Sequence, residues 1–378
     1  MSNTIPFYKH LISDKHRQYI DEVLTLQNDS KIEKLENRFR DYIGSKCALS
    51  TNSSTSALHL AMCALDLKRG DKIICSINSF PDLPEVVRHF DAEPLFVDCK
   101  EDDYTMDINK LESVLIKNKS KKLRAVIINH IAGRVGDLEA IYRLAKEHNI
   151  KIVEDASDAM GAEYQGTKIG NTGADITTYS FSPHLHSSVI QGGMLVTNDE
   201  NLYNRAKLFR THAIRNEEGA SFDEVEYLYN VIDIGWKYDM SELSAAACLA
   251  EFENLDASIK RREEIAQYYL KQLSKVKHIT LPTKNSNDIF GHFVIEIDTN
   301  RDAFARELKK AGIMVGLHYI PLHFMDYYKN KYELKVFDFP KALGIYQKVM
   351  SLPIYNGLTN QEVDAICSAV KKVAKVHI

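Results

Sequence analysis

The sequence lacks the patterns that mark a membrane protein, a metal protein or a disulfide-rich protein. Its six cysteines are scattered and none forms a CxxC pair, so neither a zinc site nor an iron–sulfur cluster is indicated. No apolar run approaches the roughly 18 residues that a membrane span requires, and the first residues lack the apolar core of a signal peptide. We therefore expect a cytoplasmic protein with reduced thiols, no metal and no membrane contact.

An excess of positive charge is also absent. Lysine and arginine together number 48 against 52 acidic residues, which gives a net charge of -4, and no block is rich in basic residues. Because a surface that binds a polyanion needs such a block, we expect no nucleic-acid partner. Internal repeats and low-complexity linkers are missing too, whereas 378 residues are ample for a large core.

The sequence does contain an alternation of β-like and helical runs from about residue 45 to 200. One of these runs, Ala125-Val-Ile-Ile, is fully apolar, which is typical of a central parallel strand. The alternation predicts an α/β fold in which helices cover both faces of a parallel sheet. Further on, a single long helix is predicted from Leu243 to Lys275, and a smaller α+β part follows it.

The segment from Ile152 to Met194 concentrates the residues that suggest chemistry. An apolar run ends there in the acid pair Glu154-Asp155, and small residues follow. Open α/β sheets bind ligands at the carboxyl ends of buried strands, so Asp155 is a candidate site residue. An aspartate before a small-residue run is equally typical of a helix N-cap, and the residues alone leave both interpretations open.

A second candidate is the hydroxyl-rich stretch Asn52-Ser53-Ser54-Thr55-Ser56, which precedes a helical run. Hydroxyl groups and free backbone N–H groups at a helix start bind phosphate well. A plain serine or threonine N-cap gives the same pattern, and spacing alone favours the cap.

Two stretches resemble motifs of the DegT/DnrJ/StrS family. One is Ser-Phe-Ser-Pro-His-Leu-His at 180–186 with Gln-Gly-Gly-Met at 191–194, and the other is Ile-Gly-Trp-Lys-Tyr-Asp-Met-Ser-Glu-Leu-Ser-Ala-Ala at 234–246. The resemblance continues in order along essentially the whole chain. Members of this family are fold-type I, pyridoxal-phosphate-dependent enzymes that act on nucleotide-linked keto-sugars. The resemblance therefore implies a three-layer αβα large domain at 1–250, then a long-helix linker and a small α+β C-terminal domain at 251–378.

The resemblance also assigns roles to individual residues. Asp155 matches the carboxylate that pairs with the pyridine nitrogen, Ser180 matches a phosphate ligand, and Phe80 matches an aromatic that stacks on the ring. Ser53-Ser54-Thr55 matches a Ser-Gly-Thr phosphate site in which Ser54 has replaced the glycine. An ionised carboxylate would keep the ring nitrogen protonated, so that the ring accepts electrons. A phenylalanine is more often simple core, so the stacking role depends on the resemblance.

One departure from the family pattern affects the chemistry. The Schiff-base lysine of the family falls on Leu185, and no lysine lies between Lys168 and Lys207. A leucine can neither bond covalently to the cofactor nor move a proton. His184 and His186 flank it, and a neutral imidazole transfers protons near pH 7, so these two are the candidate catalytic residues. Pyridoxal or pyridoxamine 5′-phosphate is then expected to bind non-covalently.

Three further matched positions complete the expected site. Asp158 stands where the family has glutamine or histidine and would add negative charge near the ring. Lys237 replaces an asparagine that reaches the cofactor phosphate of the neighbouring subunit, which implies a homodimer; a solvated lysine paired with Asp239 is the alternative. His318-Tyr319 is expected to border the sugar pocket, or alternatively to cap the interface between the two domains.

Three functions remain open on the sequence. The first is a lysine-free enzyme like the family's 3-dehydratases of nucleotide-linked 4-keto-6-deoxy sugars, which carry a histidine in the lysine's place. The second is a nucleotide-sugar aminotransferase, although losing the lysine removes acid–base catalysis that typically contributes ~10²–10⁴ in rate. The third is a non-catalytic paralogue with a binding or assembly role. The first two imply a nucleotide-linked sugar as substrate, in polysaccharide or deoxy- and amino-sugar biosynthesis.

Overall fold

The structure is a computed structural model that describes residues 4–25, 29–182, 190–216, 229–283, 285 and 287–376. Its strands, numbered in chain order, are β1 Cys47–Thr51, β2 Lys72–Ser76, β3 Glu93–Val97, β4 Leu123–Asn129, β5 Lys151–Asp155, β6 Glu163–Tyr164, β7 Thr167–Lys168, β8 Ile176–Ser180, β9 Gly193–Thr197, β10 Ile214–Asn216, β11 Tyr229–Val231, β12 Ile279–Thr280, β13 Phe293–Ile297 and β14 Val349–Leu352.

The α-helices are numbered in the same way. They are α1 Asp14–Leu24, α2 Lys31–Ile43, α3 Ser54–Ala64, α4 Asp82–Arg88, α5 Ile108–Lys117, α6 Leu138–Glu147, α7 Glu200–Arg210, α8 Glu242–Phe252, α9 Leu255–Leu273, α10 Arg301–Lys310, α11 Asp326–Lys331, α12 Pro340–Lys348 and α13 Asn360–Val376. Short 3-10 turns occur at Ile131–Gly133, Ser157–Ala159 and Leu322–Phe324. None of the helices in these described ranges is both long and apolar enough to cross a bilayer.

Seven strands form the central sheet in the order β1-β9-β8-β5-β4-β2-β3. The neighbours from β8 to β3 pair in parallel, whereas β9 runs antiparallel to both β8 and β1. The predicted α/β fold is confirmed, but a purely parallel sheet was wrong at β9. Strands β8 and β9 follow one another in the chain and lie side by side, which is the usual arrangement of antiparallel neighbours joined directly.

Helices cover both faces of this sheet because successive strand residues point to opposite sides. In β4, Val126 and Ile128 pack into one core with residues of α2, α5, α6 and α8. Ala125 and Ile127 pack into the other core, with residues of α3, α4 and α7. The three-layer arrangement is therefore confirmed.

The C-terminal part contains a second, antiparallel sheet of β12, β13 and β14. Residues of α9, α10 and α13 pack with it around the buried Phe293 and Phe304. The single long helix predicted from Leu243 to Lys275 was wrong, since α8 ends at Phe252 and α9 begins at Leu255. Asn254 lies between them at φ -100° and ψ 6°, and asparagine favours the start of a new helix. The division of the chain into domains at residue 250 stays a prediction.

Candidate functional site

A cavity of about 380 Å³ opens where β4, β5 and β8 end, and Asn129, Asp155 and Ser180 line it. This is the position where open α/β sheets place their ligands. Most of the predicted site residues meet here, namely Ser54, Thr55, Phe80, Asp155, Asp158, Ser180, His318 and Tyr319.

Strand register explains why residues distant in the sequence meet. Asn129 lies opposite Asp155 across the β4–β5 pair. Gly193 lies opposite both Ser180 and Thr51, so the end of β8 adjoins the end of β1 and the hydroxyl-rich stretch that follows it. A Cβ atom at Gly193 would lie 2.3 Å from the Ser53 carbonyl oxygen, so this close approach requires glycine.

Asp155 is the last residue of β5, and it closes a turn instead of capping an α-helix. Its Oδ1 accepts hydrogen bonds from the Ser157 hydroxyl at 2.5 Å and the Ser157 N–H at 3.1 Å. Burial raises the pKa of Asp155 to about 6, and the Asp158 charge adds to the rise while Ser157 opposes it. No α-helix begins after Asp155, so the carboxyl group does not cap one, and its hydrogen bonds to Ser157 hold it at the end of β5 beside the cavity.

Asp158 is buried, but it does not add an uncompensated negative charge. Its Oδ2 accepts the Ala132 N–H at 2.8 Å, and its Oδ1 lies 3.7 Å from His292 Nε2. The imidazoles of His292 and His318 stack with ring centroids 3.7 Å apart. Burial alone would raise the pKa of Asp158, but the two imidazoles hold it below its usual range. Asp158 therefore positions a histidine pair on one wall of the cavity.

The hydroxyl-rich stretch divides into two roles. The Ser53 hydroxyl accepts a hydrogen bond from the Ser56 N–H at 3.1 Å and so caps α3, which is the interpretation that spacing alone favoured. Ser53 is not among the residues that line the cavity. Ser54 and Thr55 do line the cavity, and Thr55 Oγ1 donates to Asp82 Oδ2 at 3.2 Å. As phosphate ligands, all three residues stay predictions.

Phe80 is an exposed aromatic and not a core residue. Its exposed fraction is 56%, and its ring centroid lies 6.0 Å from that of Tyr319 at an angle of 61°. A large apolar side chain so exposed at the edge of a cavity is available to pack against a flat ligand. His318, which precedes Tyr319 in the chain, shares a hydrogen bond of 2.9 Å with the Ser351 hydroxyl.

Lys237 lies apart from the cavity of a single chain. Its Nζ pairs with Asp239 Oδ2 at 2.8 Å, which is the contact of the alternative interpretation. The backbone next to it is fixed, because Asn52 N–H donates to the Tyr238 carbonyl at 2.9 Å. The motif at 234–246 therefore borders the hydroxyl-rich stretch, and a role of Lys237 across a subunit interface stays a prediction.

The two candidate catalytic histidines cannot be placed in the same way. His184, Leu185 and His186 lie outside the described residues, so their roles remain sequence-based predictions.

The structure adds cavity residues that were not predicted from the sequence. Asp82, His130 and His292 line the cavity, and His130 Nε2 lies 3.6 Å from the fully buried Glu154 carboxylate. Asp82 follows Phe80 by two residues, so proximity in the sequence was an available signal. His292 precedes β13, far along the chain, and no local pattern distinguishes it.

The fold and the cavity are those of an α/β protein that binds a ligand at the carboxyl ends of its strands, and comparison with known proteins gives its family. The model of the DegT/DnrJ/EryC1/StrS aminotransferase family matches residues 11–371, and the chain belongs to this family. The resemblance noted in the sequence is thereby confirmed.

Individual relatives match over nearly their full length. The chain is 30% identical over 383 residues to the spore coat polysaccharide biosynthesis protein SpsC of Bacillus subtilis, covering 98% of this chain and 97% of that protein. It is 30% identical over 377 residues to GDP-perosamine synthase of Escherichia coli O157:H7, covering 97% and 98%. The structure of Spr1654 from Streptococcus pneumoniae in its PMP form superimposes with a TM-score of 0.92 at 23% identity, covering 99% of this chain and 100% of that one, which supports the fold.

Proposed function

We propose that the protein is an enzyme that holds pyridoxal or pyridoxamine 5′-phosphate non-covalently and acts on a nucleotide-linked keto-sugar. Family membership supports the cofactor, and the names of SpsC and GDP-perosamine synthase support polysaccharide or deoxy- and amino-sugar biosynthesis. The observation that carries the proposal is the meeting of Asp155, Phe80 and the Ser54, Thr55 and Ser180 hydroxyls around one cavity.

The residues around the cavity fit this cofactor. Asp155 offers a carboxylate that holds a proton on the pyridine nitrogen, and Phe80 offers an exposed flat face for the ring. The hydroxyls of Ser54, Thr55 and Ser180, with the first N–H groups of α3, offer donors for the phosphate. When bound, the cofactor supplies a ring that withdraws electrons from the substrate.

Proton transfer is assigned to His184 or His186, because Leu185 stands in the lysine's place. This favours a dehydratase-like reaction, in which an imidazole serves as the base. An aminotransferase is the second candidate, and the family model favours it. His318 and Tyr319, which line the same cavity, would border the sugar.

A homodimer is part of the proposal. Large apolar side chains are exposed just before and within the motif that carries Lys237: Tyr229 at 64%, Val231 at 55%, Ile234 at 83% and Leu243 at 40%. A second subunit that covers them would bring Lys237 towards the phosphate of its neighbour, where a full charge strengthens the contact.

Borohydride treatment followed by intact mass measurement tests the proposal. We expect the wild type to bind the amine form at least as well as the aldehyde and to show no adduct, because no lysine is placed to form one. Leu185→Lys should gain an adduct at residue 185 with pyridoxal phosphate, since the rest of the site would already position the ring. A wild-type adduct at Lys237 would contradict non-covalent binding, and failure to bind either form would favour a non-catalytic role.

The two histidines are separated by His184→Asn and His186→Asn. Turnover should be abolished in one variant while its affinity for pyridoxamine phosphate stays nearly wild-type, because a base is not required for binding. Equal turnover in the two variants would argue against either histidine as the base.

A further inference from the structure

Asp82 is a buried carboxyl group that the proposed function does not use. It begins α4, lines the cavity and is 8% exposed. Its Oδ2 accepts the Thr55 hydroxyl at 3.2 Å. Its Oδ1 has no hydrogen-bond partner within the part of the chain that the structure describes. A buried polar atom without a partner is costly, so it calls for an explanation.

The other two carboxyl groups of the cavity are compensated, and Asp82 is not. Asp155 accepts two hydrogen bonds from Ser157, and Asp158 accepts a backbone N–H and faces an imidazole. Asp82 has only neutral donors, the Thr55 hydroxyl and the Leu83 N–H, and among the described residues that line the cavity none is a lysine or arginine. An ionised Asp82 would therefore be an unpaired charge in a poorly solvated place.

The surrounding charges all oppose ionisation of Asp82. The pKa of Asp82 rises to about 7, mainly because the carboxyl group is buried. The negative charges of Asp155 on β5 and of Glu85 on α4 raise it further, and the hydrogen bond from Thr55 opposes the rise. The Asp82 charge in turn helps to raise the pKa of the Tyr319 phenol. The remaining titratable groups in the cavity wall are His130, Asp158, His292 and His318.

The hydroxyl that Asp82 engages belongs to the expected phosphate site. Thr55 lies at the start of α3, next to Ser54, and both line the same cavity as Asp82. A phosphate bound through Thr55 would then lie within one hydrogen-bonded group of the Asp82 carboxyl. Two anions at this separation, partly shielded from water, repel by an amount that corresponds to ~10-fold or more in affinity.

We propose that Asp82 controls the phosphate site through its own proton. When Asp82 is protonated, its Oδ1 carries the proton and can donate a hydrogen bond to a phosphate oxygen. When Asp82 is ionised, its negative charge repels the phosphate. The inference rests on the proposed function, which locates the cofactor phosphate at Ser54 and Thr55. It makes phosphate affinity depend on pH, which the hydroxyl groups of Ser54 and Thr55 alone would not do.

The sign of the pH dependence follows from the proton. Phosphate binds best when Asp82 is protonated, so affinity is highest below the pKa of Asp82 and falls as the pH rises through it. Asparagine in its place presents an N–H donor at all pH values and cannot ionise, so that part of the pH dependence disappears.

The test compares the wild type, Asp82→Asn and Glu85→Gln across pH 6 to 8.5, with pyridoxamine 5′-phosphate and phosphate-free pyridoxamine as probes. Glu85 is an exposed carboxylate on the same helix. Removing its charge lowers the pKa of Asp82 somewhat but leaves Asp82 able to ionise, so Glu85→Gln should keep the pH dependence and only move it to slightly lower pH. Between pH 6 and 8.5, the wild type and Glu85→Gln should lose at least ~10-fold more affinity for the phosphorylated probe than Asp82→Asn does. For pyridoxamine the three proteins should follow the same profile.

Parallel profiles for the wild type and Asp82→Asn with the phosphorylated probe would overturn the Asp82 inference and leave the proposed function standing. Absence of binding by every protein at every pH would overturn the proposed function itself. Should Asp82→Asn fail to fold, the number of protons taken up on binding is measured instead. Calorimetry of the wild type and Glu85→Gln in two buffers of different ionisation enthalpy gives this number. Near pH 7.5 more protons should be taken up on binding the phosphorylated probe than on binding phosphate-free pyridoxamine, and equal uptake would overturn the inference.

Discussion

At the scale of single residues, two neighbouring acids on β5 have separate tasks. Glu154 is fully buried and accepts the Tyr142 hydroxyl at 2.5 Å and the Thr177 hydroxyl at 3.2 Å. Asp155 reaches the cavity instead and is held by Ser157. The first acid ties a helix to the sheet, and the second is available to a ligand.

Replacing Asp155 by asparagine should weaken cofactor binding. A hydrogen bond to a charged group contributes ~1.5–3 kcal/mol, so the dissociation constant for pyridoxamine phosphate should rise ~10–100-fold. Absorbance titration measures the change. Glu163→Gln removes an exposed carboxylate paired with Lys168 and should leave the constant unchanged. Equal affinity of Asp155→Asn and the wild type would remove Asp155 from the site.

Which site residues could be predicted from the sequence depends on where they lie. Asp155 ends a strand and Thr55 lies at the start of a helix, so element boundaries made them candidates, whereas Ser180 was assigned through the resemblance to the family motif. Other contacts in the cavity join residues that are far apart in the sequence. His292, beside β13, lies next to Asp158, and Asp82 on α4 accepts a hydrogen bond from Thr55. Local patterns do not encode such long-range contacts.

At the scale of elements, the start of α3 and strand β9 are packed in direct contact. The missing side chain of Gly193 makes room for the Ser53 carbonyl and for the Thr51 hydroxyl, which would lie 2.5 Å from a Cβ atom. This contact holds the hydroxyl-rich stretch next to the end of β8.

Gly193→Ala should therefore be destabilising. The added methyl group clashes with backbone that cannot move freely, and overpacking of this kind costs ~1–3 kcal/mol. The free energy of unfolding from urea titration measures it. Gly344→Ala is the matched control, because Gly344 lies within α12 and has no atom within 4 Å of an added Cβ. That change should be neutral or stabilising by up to ~1 kcal/mol, and equal effects at the two positions would contradict the contact.

The types of the secondary-structure elements were easier to predict than the point at which one helix ends and the next begins. The alternation of apolar runs predicted the central sheet and its helices, since periodicity reports burial directly. The break between α8 and α9 was missed, because residues 253–254 do not interrupt the helical pattern with proline or glycine.

At the scale of the whole molecule, the exposed apolar side chains near the motif at 234–246 form the surface that the proposed homodimer would cover. Ile234, with 83% of its surface exposed, is the clearest of them. Such a side chain gains ~1.5–3 kcal/mol when a partner buries it fully.

Sedimentation should show a dimer at micromolar concentration for the wild type and a shift towards monomer for Ile234→Asp, because a charge would then be buried in the interface. Phe337→Asp alters an equally exposed apolar residue elsewhere, at 80% exposure, and should leave the dimer intact. A monomeric wild type would remove the basis for assigning Lys237 to a neighbouring subunit.

The pairing of Ser180 with Gly193 also bears on how this chain could have diverged from its ancestors. The two residues pair where the chain leaves β8 and where it enters β9, so the sheet itself holds both strand ends beside the hydroxyl-rich stretch. Under the proposed function, the exchange of the family's lysine for Leu185 falls between these two strand ends, whose positions the sheet fixes independently of that residue. Holding the cofactor and reacting with it would then be separately heritable traits.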